Sequence, residues 1–206
     1  MRASIVRLPI IAALGLTAAL AGAQPADAAA LDGCGDVQLS QPFLPWGDAA
    51  EYKLAPDGGL EQGGDAWSLQ GGAAVVAGNE PFQVGGAGDA ASLELPAGSS
   101  ATTAPVCVDL DSPTVRLFVQ NSGDPLSTLE VTVVVQTILG RETLPVGVVT
   151  GSEDWRPTAP MLLLANLTSV ASLDDGTADI QIRLTPRGDG ADWRIDDVYV
   201  DPWKGR

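Results

Sequence analysis

The chain has 206 residues, of which 45% are hydrophobic and 18% charged, with a formal charge of −15 and no histidine. An acidic surface repels phosphate backbones, and the only lysines, Lys53 and Lys204, make no basic patch, so nucleic acid is excluded as a partner. The missing histidine removes Ser-His-Asp and Cys-His nucleophilic catalysis in their usual form, together with imidazole-ligated metals.

Residues 1–28 read as a signal peptide. Arg2 and Arg7 form a positive n-region, and Ile10 to Ala21 an apolar stretch. At about a dozen residues that stretch is too short to span a bilayer. The run Ala26-Asp27-Ala28-Ala29-Ala30 offers small-residue cleavage sites after Ala28 or Ala30. No later stretch is apolar enough for a transmembrane helix, so the chain is expected to be secreted, as one domain over residues 31–206. The two cysteines, Cys34 and Cys107, are then expected to form a disulfide. Their spacing excludes a Cys-x-x-Cys redox motif.

Residues 56–90 are rich in glycine, with Pro56-Asp57-Gly58-Gly59, Gly63-Gly64, Gly71-Gly72 and Gly85-Gly86-Ala87-Gly88. Trp67, Leu69, Val75, Val76 and Phe82 are interleaved as apolar anchors, so these glycines are expected to serve tight turns with positive φ rather than a flexible linker. From residue 90 onward period-2 alternation dominates. Val106, Val108 and Leu110 share a face, as do Val115, Leu117 and Val119; Leu129, Val131, Val133 and Val135; and Ala178, Ile180, Ile182 and Leu184. This is the pattern of half-buried antiparallel strands. Turns such as Asn121-Ser122-Gly123-Asp124-Pro125 and Pro186-Arg187-Gly188-Asp189-Gly190 separate them. About nine or ten strands in this arrangement predict an all-β fold, an antiparallel β-sandwich of jelly-roll type. Met161 to Leu164 read as a fully buried strand. The sequon Asn166-Leu167-Thr168 lies among apolar residues and is given no role.

The last segment is the most informative. In Asp192-Trp193-Arg194-Ile195-Asp196-Asp197-Val198-Tyr199-Val200, Trp193 and Ile195 share one face, while Val198 and Val200 share a face offset by one. A bulge at Asp196-Asp197 would bring all four to the core side and aim two aspartates at one spot. A second segment, Pro56 to Leu69, places Glu61 in a turn ahead of a strand begun by Trp67. Together the two segments resemble the jelly-roll carbohydrate-binding modules of the galactose-binding-like superfamily. Those modules often open with an Asn-Gly-x-Phe-Glu-x-Gly turn before a Trp-containing strand, and close with an Ile-Asp-Asp-Val strand beside the first. Leu60 replaces the family's aromatic, and Asp57 its asparagine. The resemblance implies a structural calcium, with Glu61 and one of Asp196 or Asp197 as side-chain ligands and carbonyls from the 57–65 turn.

It also implies a secreted, non-catalytic module that binds extracellular or cell-wall carbohydrate. Sugar binding would rest on exposed aromatics. Alternation sends Trp67 and Trp193 to the core, while Trp46 and Trp155 stand in turn-like contexts, so the expected ligand residues are Trp46, Tyr52 and Trp155. The alternative is a cell-envelope interaction protein with no small-molecule site. A carboxylate-dependent hydrolase is the third reading, and no carboxylate sits in a recognisable catalytic motif.

Overall fold

The computed structural model describes residues 34, 37–109, 112–137, 140–163 and 177–201, all within the compact unit Leu31–Arg206. The signal segment, Leu110, Leu164, the sequon, Trp203 and Lys204 lie outside the described residues. Among the described residues fourteen strands occur in chain order: β1 (Leu39–Ser40), β2 (Tyr52–Leu54), β3 (Trp67–Gln70), β4 (Ala74–Ala77), β5 (Ala91–Pro96), β6 (Ser100–Thr103), β7 (Val106–Asp109), β8 (Thr114–Asn121), β9 (Thr128–Thr137), β10 (Gly140–Thr150), β11 (Arg156–Pro157), β12 (Met161–Leu162), β13 (Thr177–Arg187) and β14 (Asp192–Asp201). That exceeds the nine or ten expected, because several are two- or three-residue pairings too short to leave a periodic signal.

The strands form two antiparallel sheets packed as a jelly-roll sandwich. In the first, β14 is central, with β8 along one edge and, on the other, β5 beside its first half and β2 beside its second. The short β11 and β12 extend the β8 edge, and β4 and β1 the other. In the second sheet β13 lies between β9 and the pair β6 and β7; β10 and β3 are the outermost strands.

The apolar faces read from alternation are the ones that meet. Val115, Leu117 and Val119 of β8 pack with Leu129, Val131, Val133 and Val135 of β9, Ile180, Ile182 and Leu184 of β13, and Val106 and Val108 of β7 in one core. The bulge in β14 is present: the register with β8 slips between Asp196 and Tyr199, and Trp193, Ile195, Val198 and Val200 are all fully buried. Trp67 is buried as expected, and Trp67 Nε1 donates to the Asp57 carbonyl at 2.9 Å.

Two expectations are corrected. Met161 to Leu164 do not make a fully buried strand: among the described residues β12 pairs only with β8, and Leu162 is exposed while Leu163 is buried. The first sheet is also not half-exposed, because Phe118 on its outer face is buried in a second cluster with Phe43, Tyr52 and Tyr199. Phe43 stacks on Phe118 at 5.3 Å, and the Arg116 guanidinium lies 3.9 Å above the Phe43 ring. The disulfide joins Cys34 to Cys107, with Cα atoms 5.6 Å apart.

Candidate functional site

The outer side of the first sheet carries an acidic cluster. Asp197 is the inserted residue of the β14 bulge, and its φ of 49° is left-handed, a conformation that Asp and Asn tolerate better than other side chains. Asp57 (φ 47°) and Leu60 (φ 60°) share that conformation in the facing turn. This turn is held by Asp57, whose carboxylate accepts from Gln62 N at 2.9 Å and Gly64 N at 2.8 Å. Glu61 is exposed and its Oε1 accepts from Ala90 N and Ala91 N, at 2.7 and 2.9 Å.

The paired aspartates differ. Asp196 is satisfied: Oδ1 accepts from Asp197 N at 2.9 Å and Oδ2 from Glu80 N at 3.1 Å. Asp197 is equally buried, yet neither carboxylate oxygen meets a hydrogen-bond donor among the described residues. Burial pushes the Asp197 carboxyl up to about 7, reinforced by the nearby charges of Glu80, Asp89 and Glu61; burial and then Asp197 itself push Asp196 up to about 8. A Cβ added at Gly85 would stand 2.4 Å from Asp89 Oδ2 and 2.9 Å from Asp197 Oδ1, so only a glycine there leaves the space into which both oxygens point.

These features fit a hard cation. When ionised, the buried oxygens of Asp197 call for a counter-charge, and Asp89 shares the hollow. Among the described residues no three ligating side chains converge as a finished cage, so backbone carbonyls would have to complete a shell. The structure thus brings Glu61, Asp196 and Asp197 to one region and singles out Asp197. Glu80 and Asp89 were missed in the sequence. Their signal is faint, since they lie in the glycine-rich segment some 110 residues from the bulge.

The aromatic candidates gather on the same side. Tyr52 is 1% exposed, its ring packed edge-on against Phe43 and its hydroxyl donating to Asp48 Oδ2 at 2.8 Å. It presents no face to a ligand, which corrects the expectation that it joins Trp46 and Trp155 as a ligand residue. Trp46 lies in a short 3-10 turn, Leu44–Trp46, with its ring 4.8 Å from Phe82 and 5.4 Å from Phe118. Trp155 packs against the aromatic cluster and is partly exposed. Both tryptophans anchor loops over the first sheet.

The outer face of the second sheet is different. β9 and β13 point one face into the core, so their alternate residues point out. Register sets Arg183 beside Thr132, and Thr185 beside Glu130. With Ser100 of β6 and Thr143 and Pro145 of β10 they line an open groove of about 550 Å³. Arg187 Nε donates to Glu130 Oε2 at 3.0 Å. A smaller hollow on the same face is lined by Gln136, Arg141, Asp179 and Gln181. The outward half of the alternation is what sequence reasoning passed over, having used the inward half to find the core.

No family model matches the chain, and no curated protein matches its sequence. Among solved structures it is similar to the CBM22-1 xylan-binding domain of Paenibacillus barcinonensis Xyn10C, at 16% identity and a TM-score of 0.48 over 72% of this chain and 93% of that one. It is also similar to the C-terminal family 22 carbohydrate binding module of Clostridium thermocellum Xyn10B, at 12% identity and 0.47 over 71% and 92%. The family 11 carbohydrate-binding module of the cellulosomal cellulase Lic26A-Cel5E of Clostridium thermocellum matches at 12% identity and 0.42 over 75% and 96%.

Proposed function

We propose that the chain is an exported, non-catalytic module that binds extracellular or cell-wall carbohydrate in the groove on the outer face of the second sheet. The observation that carries this reading is the row of hydrogen-bonding side chains, Glu130, Thr132, Arg183 and Thr185, standing on two strands whose other faces are locked in the core. Groups fixed on central strands lose little freedom when they bind hydroxyls, which is what sugar recognition needs. Among the described residues Glu130 is the one carboxylate lining the groove, and Arg187 holds it. Hydrolysis of a glycoside needs a second carboxylate across the cleft. A structural calcium at Asp197, with Asp89 beside it, belongs to the same proposal and would neutralise the acidic cluster.

Titration calorimetry against a panel of plant and bacterial cell-wall polysaccharides tests the site. Thr185→Val and Glu130→Gln should each weaken binding about tenfold, by removing one hydrogen-bonding group. Trp46→Ala and Trp155→Ala should bind as wild type. Loss of binding in the tryptophan variants alone would move the site to the loops over the first sheet. Half-exposed Leu44, Trp46 and Phe82 favour a second reading, an envelope interaction protein that uses this patch. Failure of every polysaccharide to bind would shift the weight to it.

A further inference from the structure

We propose that the groove recognises the carboxylate of a uronic-acid glycan and that Arg183 is the residue that reads it; the inference rests on the carbohydrate-binding reading above. Although the chain carries a formal charge of −15, three of its arginines, Arg141, Arg183 and Arg187, stand on the outer face of the second sheet. Two of the three are engaged. Arg187 is paired with Glu130, and Arg141 Nη2 donates to Gln181 Oε1 at 2.8 Å. Gln181 is itself tied to the Thr103 carbonyl at 3.0 Å.

Arg183 is held differently. Its Nε donates to Thr102 Oγ1 at 3.1 Å, which orients the guanidinium plane. Among the described residues its two terminal nitrogens meet no acceptor. The side chain is half-buried in the floor of the groove, between Thr132 of β9 and Thr102 of β6. A guanidinium anchored through Nε presents its terminal nitrogens as a planar fork that matches the two oxygens of a carboxylate. Among the described residues no aromatic side chain lines the groove to stack on a pyranose ring. Recognition falls to hydrogen bonds and to this one uncompensated charge. Hydroxyls of a neutral glycan would leave that charge unanswered, whereas a uronate answers it and offers hydroxyls to Thr132, Thr185 and Ser100.

The test compares binding of the mature protein to polygalacturonate, alginate and hyaluronan with binding to the carboxyl-reduced form of each. At least one uronan should bind about ten- to a hundredfold more tightly than its reduced form, the range for a hydrogen bond to a charged group. Arg183→Gln should remove that difference while leaving the thermal unfolding midpoint unchanged, and Arg183→Lys should restore only part of it. Equal binding of uronan and reduced glycan, or wild-type uronan binding by Arg183→Gln, overturns the charge assignment; the groove itself survives in that case if Thr185→Val still weakens binding. If neither form of any glycan binds, both this inference and the carbohydrate reading fall.

Discussion

Asp197 is buried and left-handed in backbone, and among the described residues neither carboxylate oxygen has a hydrogen-bond donor. A buried carboxylate facing other carboxylates destabilises the fold when ionised. The sign follows from proton binding. With folded values near 7 and 8 for Asp197 and Asp196, against 3.8 for an ordinary aspartate, the folded state holds more protons than the unfolded chain between those limits. Stability from this pair is therefore present at low pH and lost as pH rises through about 7 to 8. Calcium-free protein should melt several degrees lower at pH 9 than at pH 6. Under the calcium proposal, calcium added at pH 8 should reverse the loss by mass action, since the ion would be held by the folded site alone. Asp197→Asn keeps the shape and tolerates the left-handed backbone. It should raise the calcium-free midpoint at pH 8 and abolish the calcium response, and a full response in this variant would remove Asp197 from the site.

At the scale of the strand, the bulge in β14 is an insertion with a purpose. Without Asp197 the segment would read Trp193-Arg194-Ile195-Asp196-Val198-Tyr199-Val200, a plain alternation with the same core residues inward. Two residues of β14 oppose one of β8 at this point. Deleting Asp197 should thus leave a folded protein with Trp193 still buried, read as an unchanged tryptophan emission maximum. The calcium response should be lost, and some stability with it, because Val198 exchanges backbone hydrogen bonds with Ala55 and Gly58 across the bulge. Unfolding of the variant would show that the bulge sets the register rather than decorating it. This bulge was legible because an offset between two apolar pairs has one simple repair. The strands of the second sheet were legible for the same reason: burial on one face imposes period 2. Glu80 and Asp89 were not, because convergence of a distant loop on a bulge leaves no local pattern. Nor was the burial of Tyr52 and Phe118, since what covers the first sheet is a loop whose apolar anchors, such as Phe43, look like isolated residues in a chain.

For the molecule as a whole, the disulfide ties the segment ahead of β1 to a strand of the second sheet. Cys34 precedes β1 and β2, which belong to the first sheet, while Cys107 lies in β7 of the second. The N-terminal segment is also fastened by the two-residue register of β2 on β14, by Phe43 and Tyr52 in the aromatic cluster, by the Asp48–Arg116 ion pair and by Lys53 Nζ, which donates to the Cys107 carbonyl. Closing 73 residues of chain restricts the unfolded state and should contribute about 2–4 kcal/mol. Reduction should therefore lower the melting midpoint by on the order of 10 °C for a domain of this size. The groove is built on β6, β9, β10 and β13, none of which contains either cysteine, so glycan binding at room temperature should survive reduction. Scanning calorimetry with and without reductant, paired with a binding isotherm, separates the two effects. An unchanged midpoint would mean that the bridge contributes nothing to stability. Lost binding at a temperature where the reduced protein is still folded would mean that the N-terminal segment helps to shape the groove from the far side of the sandwich.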